Sequence, residues 1–233
     1  LKSATAHDVR GLALIGLGMI DDALVSFGEA LDCDPSCASA YSNSGIAYRA
    51  KGEPKTAIKY FTEAIRLDSK NALFYNNLGV SLLDNNDLPQ AEVALNKALS
   101  IEPDYAEAHF NLSRVLLMAE NFRMGWHHNE WRWRCHNFPS KWRFFPQPTW
   151  QGQNIKNKKI LVWSEQGIGD EIMFANTLPE LVNNSAQVMI ECSNRLVPIF
   201  SRSFNNVLVF ARQDPPNLEI QSINPDFQIP IGS

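Results

Sequence analysis

The densest chemistry in the sequence lies in SEQGIGDE at 164–171. Two glycines, Gly167 and Gly169, let the backbone turn tightly and approach a ligand, while Glu165, Asp170 and Glu171 place carboxylates beside them. The absence of a following Gly-Lys-Ser/Thr excludes a P-loop, and the spacing is not GxGxxG. Carboxylates at this density argue against a phosphate seated directly on the glycines and for a general base acting on a hydroxyl. The competing reading has Asp170 capping the helix that follows. The residues alone support both equally.

Two further constellations stand in the first half. Asn43, Asn77 and Asn111 recur 34 residues apart. Each amide offers a donor and an acceptor, which suits an extended peptide backbone; the competing reading is that the amides bond between neighbouring helices. The second is NFRMGWHHNEWRWRCH at 121–136, where Trp126, Trp131 and Trp133 crowd one predicted helix. That much aromatic surface predicts a seam to a second domain. A nucleic-acid stacking platform with Arg123, Arg132, Arg134 and Arg143 is disfavoured by core-like helical spacing and a net charge of -4. His127, His128 and His136 lack the thiol or carboxylate pattern of a metal centre and read as a solvated helix face; no metal is expected.

These residues are positioned by an internal repeat. Gly11, Gly45 and Gly79 are 34 apart, as are Ala23, Ala57 and Ala91, and Ala30, Ala64 and Ala98. Phe27, Phe61 and Leu95 fill the large position between them. Pro35 and Pro103 close units one and three, and Tyr41 and Tyr75 open units two and three. The period and columns predict tetratricopeptide-type pairs of antiparallel helices in units 4–37, 38–71, 72–105 and 106–139. The small residue lets the two helices approach and the large one fills the hole beside it. Gly18 and Gly52 fall where the first helix of a pair must end. The fourth unit diverges, with Ser113 at the glycine position and Gly125 at the alanine position.

After Cys135 the texture changes. PSKWRFFPQPTWQGQNIKNK, 139–158, with three prolines, reads as a linker over 138–157 or as a lead-in that packs by its aromatics. Strands are expected at 158–163, 186–192 and 206–210, with helices at 172–182 and 194–204 and one more short strand in the tail. Alternation of strand and helix implies a parallel crossover sheet in residues 158–233. The glycine turn then lies at the carboxyl end of the first strand, where open α/β sheets bind ligands. So few strands suggest a domain cut short.

Composition sets the frame. The chain of 233 residues is 45% hydrophobic and 20% charged, an ordinary globular balance. The stretch LALIGLGMI at 12–20 is too short to span a membrane, and LKSATAHDVR is no signal peptide. Cys33, Cys37, Cys135 and Cys192 lack metal-ligand spacing, and a cytoplasmic setting is expected.

The repeats, with openings at Ala72–Gly79 and Ala106–Ser113, resemble the arm of O-linked N-acetylglucosamine transferases. GWHHNEWRWR, PTWQGQ and KKILVWSEQGIGDEIMFANTLPELV resemble a bacterial family that joins tetratricopeptide repeats to a heptosyltransferase-type glycosyltransferase domain. That resemblance implies an all-α tetratricopeptide superhelix followed by a partial Rossmann-like α/β domain, the N-terminal lobe of a GT-B enzyme. It implies Asp170 as base, an acceptor-cleft loop of Glu165, Gln166, Gly167 and Gly169, and a glycan or protein acceptor. A sugar nucleotide is implied for a full-length parent, with no cofactor held by this chain. The expected behaviour of the chain is binding without turnover; the competing function is a peptide-binding scaffold gripping a segment at Asn43, Asn77 and Asn111.

Overall fold

The computed structural model describes residues 3–185 and 187–233. Leu1 and Lys2, at the start of the first predicted domain, and Ala186, the predicted first residue of the second strand, lie outside the described residues. The chain forms two compact units, residues 1–136 and 137–233.

Unit 1 is all-α. Its helices are α1 (Ala4–Gly16), α2 (Ile20–Cys33), α3 (Ala38–Ala50), α4 (Pro54–Leu67), α5 (Ala72–Asp84), α6 (Leu88–Ile101), α7 (Ala106–Met118) and α8 (Phe122–Asn129). Odd and even helices pair, and the small-residue columns explain how. A Cβ added at Gly45 would stand 2.7 Å from the Phe61 ring, and one at Gly79 would stand 2.6 Å from Leu95. The ring or isobutyl group therefore occupies the volume a side chain would take, and Phe27, Phe61 and Leu95 are all 0% exposed. In the fourth pair the exchange runs the other way. Ser113 fits in α7, while Gly125 of α8 meets Leu117, where a Cβ would come within 2.7 Å of Cδ2.

One turn geometry recurs between the helices of every pair. Gly18, Gly52, Asn86 and Glu120, spaced 34 apart, have φ of 76°, 78°, 60° and 61°. Glycine takes this left-handed conformation without cost and Asn with little, whereas Glu meets its own Cβ.

The last pair departs from the predicted single helix. The segment after α8 tightens into a 3-10 turn, Glu130–Arg134, so Trp126 lies on α8 while Trp131 and Trp133 lie on the turn. Arg132 is fully buried, donating from Nη1 to the Asn129 carbonyl and to Glu130 Oε1.

Unit 2 is a parallel sheet with β1 (Lys159–Trp163), β2 (Gln187–Cys192), β3 (Val207–Ala211) and β4 (Phe227–Pro230) in the order β3-β2-β1-β4. The helices are α9 (Ile168–Phe174), α10 (Leu178–Asn184), α11 (Val197–Ser203) and α12 (Leu218–Ile223). Alternation along the strands sends Ile160, Val162, Val188 and Ile190 to one face with Leu178 and Phe200, and Leu161 and Met189 to the other with Ile220. Both faces are covered, which is why the strands read as continuous apolar runs.

Three expectations are corrected here. The 138–157 stretch is the packed lead-in and no free linker: it belongs to unit 2, Trp142 and Phe145 pack on Trp163, Thr149 bridges to Gln228 of β4, and Ile155 is buried. The predicted helix at 172–182 starts at Ile168 and breaks at a 3-10 turn, Ala175–Thr177, before α10 restarts with Pro179 in its first turn. The tail contributes the extra strand but also α12, which has too few residues to show a helical period.

Replacing Glu120 by Gly should raise the thermal stability of unit 1 by about 1 kcal/mol, and Gly52→Ala should lower it by a similar amount. A Cβ at Gly52 meets nothing within 4 Å, so that variant isolates the backbone term. Chemical denaturation of both variants beside the parent chain measures the pair.

Candidate functional site

In unit 1 successive first helices touch one another, α1 with α3, α3 with α5 and α5 with α7, whereas successive second helices make no comparable contact. The first helices therefore form the inner face of the array. Polar side chains join them across the repeats. Asp8, 7% exposed, accepts from Ser39 Oγ at 2.8 Å and from Asn43 Nδ2 at 2.8 Å. Asn111 Nδ2 donates to Asn76 Oδ1 at 2.9 Å, and Arg49 Nε stands 3.8 Å from Asp84.

The predicted ladder of three equivalent amides is thus rearranged. Asn43 and Asn111 direct their N–H groups to the preceding repeat, as the helix-bonding reading expected. Asn77 Oδ1 accepts from Asn76 Nδ2 at 3.5 Å, and Asn77 Nδ2 is buried with no hydrogen-bond partner. The repeated column does not reveal Asp8 and Asn76, the acceptors one residue earlier in the frame, because that position is not repeated in type: it is Ser42 and Phe110 in the other units. The groove itself lies along the stripe that carries those acceptors, since residues one turn on share a helix face. It exposes Leu12 (45%), Leu73 (47%) and Met118 (55%), with Arg49, Asp84 and Arg114 among them.

The histidines group differently from expectation. His109 of α7, singled out by no motif, is 9% exposed and stacks on Trp131 with ring centroids 3.9 Å apart. Its Nδ1 stands 2.8 Å from His128 Nδ1, and its Nε2 stands 2.9 Å from the Pro103 carbonyl. The carbonyl can only accept, so His109 carries its proton on Nε2 and His128 donates through Nδ1. Burial lowers both pKa values, His128 to about 4, with the neighbouring imidazoles adding to the effect. Trp131 therefore packs inside unit 1, against α7. Trp133 lies beneath the Arg132 guanidinium at 4.8 Å, and Trp126 is 40% exposed. Among the described residues no group of three His, Cys, Asp or Glu side chains is placed to hold a metal ion, and no helix is long and apolar enough to cross a membrane.

In unit 2 the glycine-rich residues sit where the chain leaves β1 and enters α9. Gly167 precedes the helix, and its N–H donates to Asp170 Oδ2 at 3.1 Å, so Asp170 closes the first turn as the capping reading expected. Gln166 has φ of 59°, and its N–H donates to Ser140 Oγ. Gly169 lies inside the first turn with open space beside it. Glu165 is 0% exposed and accepts from the Gly232 N–H at 2.8 Å, linking the carboxyl ends of β1 and β4. These two strands flank the point where the strand order reverses, the crevice that open parallel sheets use for ligands.

Around that end the sheet buries charges that no motif connects. Glu191, 0% exposed, pairs with Arg143 Nη2 at 2.8 Å, and Arg143 also donates to the Gln213 carbonyl. Glu171 Oε2 accepts from the Ser193 N–H, and Arg212 donates to the Ser164 carbonyl. Burial pushes the Glu171 and Glu191 carboxyls up; the Ser193 N–H and then Arg212 pull Glu171 back, and Arg143 and then Arg212 pull Glu191 back. The Cys192 thiol, buried between those carboxylates, is pushed up to about 12 and is inert.

Comparison with known proteins matches residues 38–71 and 60–93 to tetratricopeptide repeats. Unit 1 is an array of tetratricopeptide repeats. Protein FlbA of Caulobacter vibrioides is 32% identical over 129 residues, 54% of this chain, which spans only 22% of that protein. The solved structure of pilF from Pseudomonas aeruginosa superposes with a TM-score of 0.52 at 27% identity, covering 55% of this chain and 58% of that one. The first TPR domain of human RPAP3 superposes with a TM-score of 0.50 at 20% identity, covering 52% of this chain and 94% of that one, and shows the fold alone.

The histidine pair makes the stability of the repeats pH-dependent. Both folded pKa values lie below the unfolded value of about 6.5, so the unfolded chain takes up protons first as pH falls. The stability is complete above about pH 6.5 and declines as pH falls toward the folded value near 4. Melting temperatures at pH 7.5 and pH 5 should differ less for His128→Gln than for the parent chain; equal differences would refute the assignment.

Proposed function

We propose that unit 1 holds an extended segment of a partner protein along the face made by α1, α3, α5 and α7. The observation that carries this reading is the composition of that face. Its structural hydrogen bonds are made between the helices, through Asp8, Asn76 and Arg49, while Leu12, Leu73 and Met118 remain exposed beside Arg114. A fixed groove with exposed apolar side chains and charges at its rim suits a peptide whose backbone and alternate side chains it can contact. Asn77 Nδ2, buried and unpartnered, adds a donor that a small shift of its side chain would turn toward a backbone carbonyl.

Peptides selected by display on the full chain test this. Their affinity should fall about tenfold or more in Leu73→Glu or Arg114→Glu and stay unchanged in Val93→Glu, on the exposed side of α6. Equal loss in all three, or none, would remove the groove as the site.

A second reading concerns unit 2 and rests on the strand order β3-β2-β1-β4, with the glycine-rich residues at its reversal. Together with the sequence resemblance it supports an acceptor-side lobe of a sugar-nucleotide-dependent glycosyltransferase, in which Asp170 serves an acceptor hydroxyl through the carboxylate oxygen that does not cap Gly167. Saturation-transfer NMR with heptose- or N-acetylglucosamine-bearing glycans tests it. Sugar signals weakened by Asp170→Asn support the lobe; their absence, or insensitivity to that variant, argues for a purely structural unit.

A further inference from the structure

The glycine-rich residues and the buried carboxylates of unit 2 lie at the carboxyl end of the sheet. The amino end has a feature of its own. A cavity of about 380 Å³ opens where β2 and β3 begin, within the range of roughly 300–1,000 Å³ that small-ligand sites occupy. Its floor follows from the parallel register: Val188 pairs with Val207, so Gln187 and Asn206 stand side by side one residue before that pair. Val182 of α10 and Asn205, in the connection from α11 to β3, also line it. The corner stays open because α12 stops short of it. Met189 is 0% exposed against Ile220, whereas its register neighbour Leu208 is 38% exposed.

The lining excludes some ligands and suits others. Among the described residues no charged side chain lines the cavity. The Lys158 carbonyl accepts from the Gln187 N–H, but the Lys158 ammonium is held by Asp226 at 3.0 Å. A phosphate, carboxylate or ammonium would therefore lose its hydration here without a counter-charge. Among the described residues no aromatic side chain lines the cavity either, so a flat base would find no ring to stack on. Three primary carboxamides remain, Gln187, Asn205 and Asn206, beside the aliphatic Val182, Val207 and Leu208. Each amide offers two N–H donors and an acceptor oxygen, and a hydroxyl both donates and accepts. Among the described residues none of the three side-chain amides is hydrogen-bonded within the protein, so all face the ligand uncommitted. A neutral, puckered ring with hydroxyls along its edge and C–H groups on its faces matches both kinds of surface.

We infer that the amino end of the β2–β3 pair binds a neutral saccharide of one or two pyranose units. Gln187 and Asn206 hold adjacent hydroxyls, and Leu208 lies against the C–H face of the ring. This site is separate from the groove of unit 1. It is also separate from the glycine-rich turn, which leaves the opposite end of β1.

The test uses the full 233-residue chain, labelled with nitrogen-15 and titrated with neutral methyl glycosides and maltose. Uridine and inorganic phosphate serve as comparison probes. The side-chain amide resonances of Gln187, Asn205 and Asn206 should move saturably with at least one sugar and with neither comparison probe. Asn205 and Asn206 are exposed, so leucine at either position keeps the fold, which circular dichroism checks. Asn206→Leu should weaken sugar binding about tenfold, and Asn205→Leu should weaken it measurably, since each removes a hydrogen-bonding amide. Asp170→Asn should leave it unchanged, which separates this site from the glycine-rich turn. Amide resonances that no sugar moves, or that uridine or phosphate moves instead, would overturn the proposal. So would equal affinity in Asn206→Leu and the parent chain, or loss of binding in Asp170→Asn.

Discussion

Everything in unit 1 depends on how closely the two helices of a pair approach. Gly11, Gly45 and Gly79 present bare backbone to Phe27, Phe61 and Leu95, and no side chain fits between. Dispersion and apolar burial are gained only because both partners are matched. The same contact fixes the angle of each pair, and the pairs then stack at one repeated geometry. That geometry brings the first helices together and holds the second helices apart, which creates the inner face. The fourth pair keeps the geometry with a different fit, Ser113 in α7 and Gly125 against Leu117 in α8.

Close stacking also decides what the polar residues do. Burying an amide or carboxylate favours finding it a partner, and the nearest partners lie on the neighbouring repeat. Asp8 therefore takes Ser39 and Asn43, and Asn76 takes Asn111. Two of the three amides in the column, Asn43 and Asn111, act first as stitching between repeats. The exposed apolar and charged side chains along the same helices are what remains for a ligand.

Unit 2 obeys a different constraint. A parallel sheet covered on both faces leaves its polar groups to gather at the strand ends. Glu165, Glu171 and Glu191 are buried there and held by Gly232, Ser193 and Arg143. A buried ion pair of this kind contributes little net stability but penalises any arrangement that separates its members. Arg143 thereby pins the proline-rich lead-in to β2. The glycine-rich residues are held on a settled scaffold, with Asp170 capping α9.

The 34-residue period, the helix pairs and the small and large columns were legible in the residues, because helical spacing and the glycine–aromatic match are local and repeat. So were the strands of unit 2, whose apolar runs are short and bounded. The roles of the site residues were decided by tertiary structure. Nothing in the chain order links Arg143 to Glu191, His109 to His128, Asp8 to Asn43 or Glu165 to Gly232, since each partnership joins separate elements. The sequence by itself determined that Asn43, Asn77 and Asn111 are equivalent and that carboxylates crowd Gly167 and Gly169. Only packing decided that two of those amides face a neighbouring helix and that Asp170 caps while Glu165 is buried, because hydrogen-bond demand in a desolvated interior is met by whatever the fold brings within 3 Å or so.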